Sequence, residues 1–240
     1  LDRRSWVTVD GFHVRNCEAR DIYLAGPLTG ALISNNVCTF AGKNGIAAVA
    51  CSSVVIRRNF CSDHTDHGIY LQYTVNSTVE DNESTRNARL LVRAANGINL
   101  NRSTGNLIQR NRLYRNQDTG LDFETGANDN VSRQNLLYWN GDHGADHVDC
   151  SGNVHIGDVA YRNYKDGFSF EGSAPNHKVF NCIGIENGLT TLEFDLWIDK
   201  SSLPGFESDF NIWWNSTAAT TPVKYIATKY SRLADYIAAS

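Results

Sequence analysis

Apolar and polar residues alternate along this chain in short bursts, and the bursts return at a fixed spacing. Gly68-Ile-Tyr-Leu-Gln, Gly97-Ile-Asn-Leu-Asn, Gly120-Leu-Asp-Phe-Glu and Gly167-Phe-Ser-Phe-Glu each open on glycine and then alternate. Such alternation predicts short strands that bury Ile69 and Leu71, Ile98 and Leu100, Leu121 and Phe123, and Phe168 and Phe170. The glycines themselves, Gly45, Gly68, Gly97, Gly120, Gly144 and Gly167, keep a beat of 23 or 24 residues with one step of 29. Asn36, Asn59, Asn82, Asn111, Asn135, Asp158 and Asn181 keep the same beat, and Asn116, Asn140, Asn163 and Asn187 form a second column. Two residues beyond the first column another buried row is expected: Cys38, Cys61, Leu113, Leu137, Ala160 and Ile183, with Ser84 as its polar member.

A 23-residue unit of short strands, with no helical periodicity, cannot bury its inner face alone. Stacking successive units into a solenoid solves this, each strand pairing with the rung above and below. The Leu-x-x-Leu-x-Leu frame of leucine-rich repeats is missing. Asparagine instead suits tight corners, where it tolerates left-handed backbone and its amide can bond the next rung. The Asn columns and Gly-Ile-x-Leu strands resemble right-handed parallel β-helix proteins over roughly residues 6 to 200. The resemblance implies an all-β fold, a right-handed parallel β-helix solenoid of about eight or nine rungs. The six extra residues around 86–95 predict a loop beside a binding surface. The beat is expected to fail after Leu203-Pro204-Gly205, dividing one domain into a helix body (1–205) and a tail (206–240). That tail should hold a last rung near 209–215, a strand near 221–226 and a short helix capped by Ser231.

Composition narrows the function. Lys+Arg 22 against Asp+Glu 26 leaves no basic excess to neutralise a phosphate backbone, so nucleic acid is not an expected partner. No apolar run reaches the ~18 residues of a membrane span. Methionine is absent and residue 1 is Leu, so the chain reads as a processed or trimmed product; the β-helix resemblance implies a secreted protein, and a monomer is expected. The six cysteines form no zinc-type cluster.

Rungs in register set equivalent residues ~4.8 Å apart, which turns the period into geometry. Asp118-x-Gly-x-Asp122 and Asp142-x-Gly-x-Asp146 repeat at a step of 24, and the next rung adds Lys165, Asp166, Ser169 and Glu171. Glu124, His143 and His147 fall near the same patch. Stacked carboxylates repel unless a cation lies among them, and a hard ion such as Ca²⁺ is the natural partner. The pattern is similar to the Asp-Asp-Gly-x-Asp calcium motif of some β-helix pectate lyases, with Thr119 and His143 in place of the second Asp. In that family Ca²⁺ acidifies the proton beside a uronate carboxylate and a Lys or Arg is the base of β-elimination. The resemblance implies a polysaccharide lyase with Asp118, Asp122, Asp142, Asp146 and Asp166 around the ion and Lys165 or Lys178 as base. Arg89, Arg93, His143 and His147 are candidates to hold substrate, Arg by bidentate grip of a carboxylate. Exposed aromatics along the repeats, among them Trp139 and Tyr164, suit sugar stacking, so a non-catalytic glycan-binding or adhesin-like module is the competing reading.

Cys38 and Cys61 fall in one inward column, one rung apart, and are expected as buried reduced neighbours. Thiol titration of the denatured protein should count both as free; a recovered peptide cross-linking them would contradict this.

Overall fold

The computed structural model describes residues 1–216 and 221–239. Almost every strand is parallel and pairs with the strand one rung away, giving three long sheets. Nine three-residue strands run from Thr8–Asp10 to Glu207–Asp209, and nine more from His13–Arg15 to Ile212–Trp214. The third sheet has ten strands; it starts at Ile22–Thr29, carries the Gly-led strands and ends at Thr228–Tyr230. One turn of chain contributes one strand to each sheet, so the fold is a parallel β-solenoid of about nine turns.

The predicted inward pairs form the core: Ile69, Leu71, Ile98, Leu100, Leu121, Phe123, Phe168 and Phe170 are all fully buried. The Gly column follows from crowding. A Cβ on Gly144 would lie 2.6 Å from the Gly167 carbonyl oxygen and 2.8 Å from Asn163 Nδ2, so any side chain would push neighbouring rungs apart.

Polar ladders hold the corners. In the first Asn column, Asn82 Oδ1 accepts both the backbone N–H of Asn59 (2.9 Å) and its Nδ2–H (3.0 Å). Asn82 Nδ2 also donates to the Ile56 carbonyl at 2.9 Å. The unit repeats through Asn111 and Asn135 to Asp158. The second column runs from His64 through Asn87, Asn116, Asn140, Asn163 and Asn187 to Asp195. A third, not foreseen, links Ser77, Asn106, Asn130, Asn153 and His177. The ladders keep a spacing of five residues within each rung, as in Asn106, Asn111, Asn116 and Asn130, Asn135, Asn140.

Three expectations are corrected in the later rungs. Cys182, not Asn181, takes the first-column place and donates its N–H to Asn211 Oδ1 (2.7 Å), while Asn181 adopts a left-handed turn at φ 55°. Gly184 rather than Ile183 therefore pairs with Ala160 in the inward row, and the buried Trp213 packs where a Gly184 side chain would be. The beat lengthens before Gly205, between Phe168 and Leu196, and does not stop there: Glu207–Asp209 pairs in register with Lys178–Phe180, and Ile212–Trp214 supplies the expected last rung. In the tail Val223–Tyr225 continues the third sheet, and Thr228–Tyr230 turns back antiparallel against it. Helix Leu233–Ile237 covers this hairpin, and Tyr236 packs near Tyr225 and Tyr230. Its N-cap is Arg232, not Ser231, with Arg232 paired to Asp235.

Ladder interiors should be costly to cut. Asn111→Ala removes the acceptor of two Asn82 donors and a donor to the Val79 carbonyl. It should cost about 3 kcal/mol or more in denaturant unfolding, since buried orphans cost ~1–3 kcal/mol each. Asp195→Asn should do the reverse above neutrality. Burial raises the Asp195 carboxyl to about 7, against donated hydrogen bonds from Asn187, and its Oδ2 has no partner among the described residues. The native state thus holds this proton more tightly than the unfolded one, and wild-type stability falls as pH rises from 3.8 to about 7. The Asn variant should be the more stable at pH ~8 and lose that advantage in acid; equal stability at both would contradict this assignment.

Candidate functional site

On the third sheet the outward positions of Ile98–Asn101, Leu121–Glu124 and Ala145–Val148 set Asn99, Asp122 and Asp146 side by side. Two residues on, Asn101, Glu124, Val148 and Glu171 form the neighbouring column. The turns that lead into these strands bring Asp118, Asp142 and Lys165 over the same place, joined by bonds from the Asp142 N–H to the Asp118 carbonyl (3.1 Å) and from the Lys165 N–H to the Asp142 carbonyl (2.9 Å). These residues line an open cleft of about 360 Å³, with Arg93 reaching in from the inserted loop.

Charge in the cleft is uneven. Asp118, Asp122, Glu124, Asp142, Asp146 and Glu171 face Arg93, Lys165 and His143. Arg93 bridges Asp142 at 2.9 Å and Asp118 at 3.5 Å, and Lys165 Nζ lies 3.0 Å from Asp142. Asp122 Oδ2 accepts from Asn96 Nδ2 (2.6 Å) and Asn99 Nδ2 (2.8 Å). Even so, burial first and then Glu124, Asp146 and Asp118 push the Asp122 carboxyl well above the usual range. Burial also raises Asp146 and Glu171, and burial with the Asp142 charge lifts Asp118 to about 6. Burial alone would lower His143, but Asp146, Asp166 and Asp142 overrule it and raise the imidazole to about 10. Its Nδ1 accepts the Asp166 N–H at 3.2 Å and also lies 3.2 Å from Asp166 Oδ2. Protonating Nδ1 would exchange that bond for a donation to Oδ2, a buried oxygen with no hydrogen-bond partner among the described residues.

Of the residues nominated from sequence, Asp118, Asp122, Asp142, Asp146, Arg93, His143 and Lys165 meet in this cleft. Asp166 is beneath it, fully buried, with Oδ1 accepting the Phe194 N–H at 2.8 Å. Lys178 is not there: it belongs to Lys178–Phe180 in another sheet and pairs with Glu207 at 2.8 Å. Arg89 lies apart from the acids, its backbone bonded to the Gln117 side chain, beside Lys43 and Asp66. His147 faces inward, fully buried between Phe123 and Phe170, because alternation that turns Asp146 out must turn its neighbour in. Asn96 and Asn99 were missed, although Asn99 shares the strand position of Asp122 and the repeat could have nominated it. Among the described residues, one group of three converges closely enough for a metal ion: the ligand atoms of His143, Asp146 and Glu171 lie within 4.8 Å of one another. A second groove of about 470 Å³ is lined by Trp139 and Tyr164 together with the paired Arg162 and Glu186.

Comparison with known proteins agrees with the architecture. Residues 1–158 match the family described as the right handed beta helix region, and the chain belongs to that family. Compared with curated proteins by sequence, it has no match. Among solved structures it is similar to the mannuronan C-5 epimerase AlgE6 A-module of Azotobacter vinelandii, with a TM-score of 0.72 and 15% identity over 96% of this chain and 71% of that one. A double mutant of the periplasmic alginate epimerase AlgG gives 0.69 and 18% over 85% and 47%. Pectate lyase Pel9A gives 0.67 and 16% over 90% and 59%. The chain thus spans about half the length of the alginate epimerase AlgG and 59% of that of the pectate lyase.

The His143 assignment carries a test. Its ring carbon protons should titrate near 10 by NMR, and Asp166→Asn should bring the midpoint down. A folded-state value raised above 6.5 adds stability that is complete below 6.5 and is lost as pH rises through about 10. A midpoint near the ordinary histidine value would remove the imidazolium from the cleft.

Proposed function

We propose that this protein acts on a uronate-containing polysaccharide outside the cytoplasm, removing the proton beside the uronate carboxylate and eliminating the adjoining glycosidic bond. The observation that carries this reading is the single cleft in which acids of graded ionisation face Arg93 and Lys165. The neighbours in structure support it: a C-5 epimerase and a pectate lyase both require a proton to leave a uronate carbon.

Arg93 and Lys165 are the cations available to dock a substrate carboxylate, Arg93 from a loop and Lys165 from the facing turn. Lys165, whose Nζ lies 3.0 Å from Asp142, takes this anchoring role. Asp118, raised to about 6, is largely ionised at neutral pH yet more basic than an ordinary carboxylate, which matches the demand on a general base. His143, as an imidazolium, is placed to donate a proton to the leaving oxygen.

A divalent cation fits this reading. Asp118, Asp122, Asp146 and Glu171 are all held above their ordinary ionisation, and a hard cation would relieve that strain. Asp146 and Glu171 would hold it, with Asp122 and Asp142 at the next positions. When bound, Ca²⁺ would neutralise the uronate carboxylate and acidify the adjacent C–H. Asp166, bonded beneath His143, is unsuited to be a direct ligand. The competing reading, glycan binding without turnover, draws on the aromatic groove at Trp139 and Tyr164.

Incubation with polygalacturonate or alginate should produce the ultraviolet absorbance of an unsaturated uronate. Its rate should climb as pH passes about 6 and Asp118 ionises. Asp118→Asn should abolish turnover, whereas Lys165→Ala should chiefly raise KM. Saturating Ca²⁺, at ~100 times its Kd, should stabilise the fold by about 2.7 kcal/mol, and Asp146→Asn should erase that gain. Polysaccharide binding without any product would leave the binding-module reading in place.

A further inference from the structure

The strand pairing fails at one point beside the cleft. Ala145–Val148 and Phe168–Phe170 pair at Ala145 and Phe168, and the ladder resumes only as an isolated bridge between Val148 and Glu171. Ala145 donates regularly to the Gly167 carbonyl (2.9 Å), and Glu171 donates to the His147 carbonyl (3.0 Å). Continuing that pattern would send the His147 N–H to the Ser169 carbonyl. It goes instead to the carboxylate of Asp146, at 2.9 Å. The vacated carbonyl of Ser169 is taken by the His147 ring, whose Nδ1 lies 3.0 Å away. A carbonyl only accepts, so Nδ1 carries the hydrogen.

The ring is fixed from behind. Its Nε2 is 3.0 Å from His155 Nε2, and His155 Nδ1 is 2.8 Å from Asp158 Oδ2. His155 comes from Val154–Ile156 on another sheet, so the chain of contacts crosses the solenoid interior. Asp158 is the ladder residue that also accepts from Ser132 Oγ (2.7 Å) and the Asn135 N–H (2.7 Å). His147 stacks between Phe123 and Phe170, with ring centres 4.8 and 4.3 Å away, a place that an apolar residue would fill equally well. Packing therefore does not account for a histidine here; its hydrogen-bonding role does.

We propose that His147 is a positioning residue for the Asp146 carboxylate: its ring replaces its own backbone amide in the sheet, freeing that N–H to orient Asp146 in the cleft, and His155 and Asp158 brace the ring across the core. This deepens the reading of the cleft given above and rests on it for its catalytic consequence, but not for the hydrogen-bond exchange itself.

His147→Phe and His147→Asn separate the two parts. Phe keeps the stack and loses the donor; Asn offers an N–H close to the position of Nδ1. In isotope-labelled protein, an NMR coupling across the hydrogen bond from the residue 147 nitrogen to the Ser169 carbonyl carbon should be absent in the wild type, appear in His147→Phe and vanish again in His147→Asn. Turnover of polyuronate should fall roughly tenfold in the Phe variant with KM unchanged, and recover in the Asn variant. A 147-to-169 coupling in the wild type, or none in a folded Phe variant, overturns the exchange. Rerouting of the amide with unaltered turnover overturns the positioning role. Should wild-type protein leave polyuronates untouched, the reading of the cleft fails, while the couplings still decide the exchange.

Discussion

Everything in this molecule depends on how a side-chain amide replaces water at a buried corner. A solenoid of three sheets turns its backbone sharply three times per rung, and each turn strands N–H and C=O groups in the interior, where leaving them unpaired is costly. Asparagine meets the demand with one group: Oδ1 takes two donors from one neighbouring rung, and Nδ2 reaches a backbone carbonyl. Fully buried polar columns then cost little, because each member is satisfied by the next. The ladders also set register, since an amide shifted by one residue would meet no partner.

That register places the cleft. Asp122 and Asp146 stand beside each other because Asn111, Asn135 and Asp158 below them are locked in step. The acids are costly neighbours, buried and repelling, and the protein tolerates them through Asn96, Asn99, Arg93, Lys165 and a charged His143. Such a crowd of frustrated charge is a departure from the economy of the other two sheets, where outward residues are largely solvated, and departures of this kind concentrate at functional places.

Most of the scaffold was legible in the sequence, because its causes are periodic. The Gly column reflects close approach between rungs, the alternating strands reflect an inside and an outside, and both print themselves at a fixed beat. Two Asn columns were read and the third, Asn106, Asn130 and Asn153, had the same signal. The reading faltered where identity and position part company: Asn181 carries the expected residue one place too early, and the buried place belongs to Cys182. The site was legible where columns decide it, as for Asp118, Asp122, Asp142, Asp146 and Lys165. It was not legible where a contact joins different sheets or a loop. Lys178 was nominated through the resemblance to the lyases and faces elsewhere, and Arg93 rather than Arg89 reaches the acids because of how the inserted loop folds back. His147 was within reach of the simplest rule of all, that neighbours on a strand face opposite ways.

The five-residue spacing between ladders has a bearing on how such a chain can change over time. From Ser77 to Asn87, Asn106 to Asn116, Asn130 to Asn140 and Asn153 to Asn163 the count never varies, so two of the three walls admit neither insertion nor deletion. The longer irregularities, at 86–95, around Thr125 and Gly126, and at 188–194, fall in the turns on either side of the third sheet, and a bulge between Ala25 and Leu28 lies within its first strand. Lengthening those turns costs little, because loop closure grows only slowly with length. Changes of length in those turns therefore remodel the rims of the cleft while leaving the laddered frame intact.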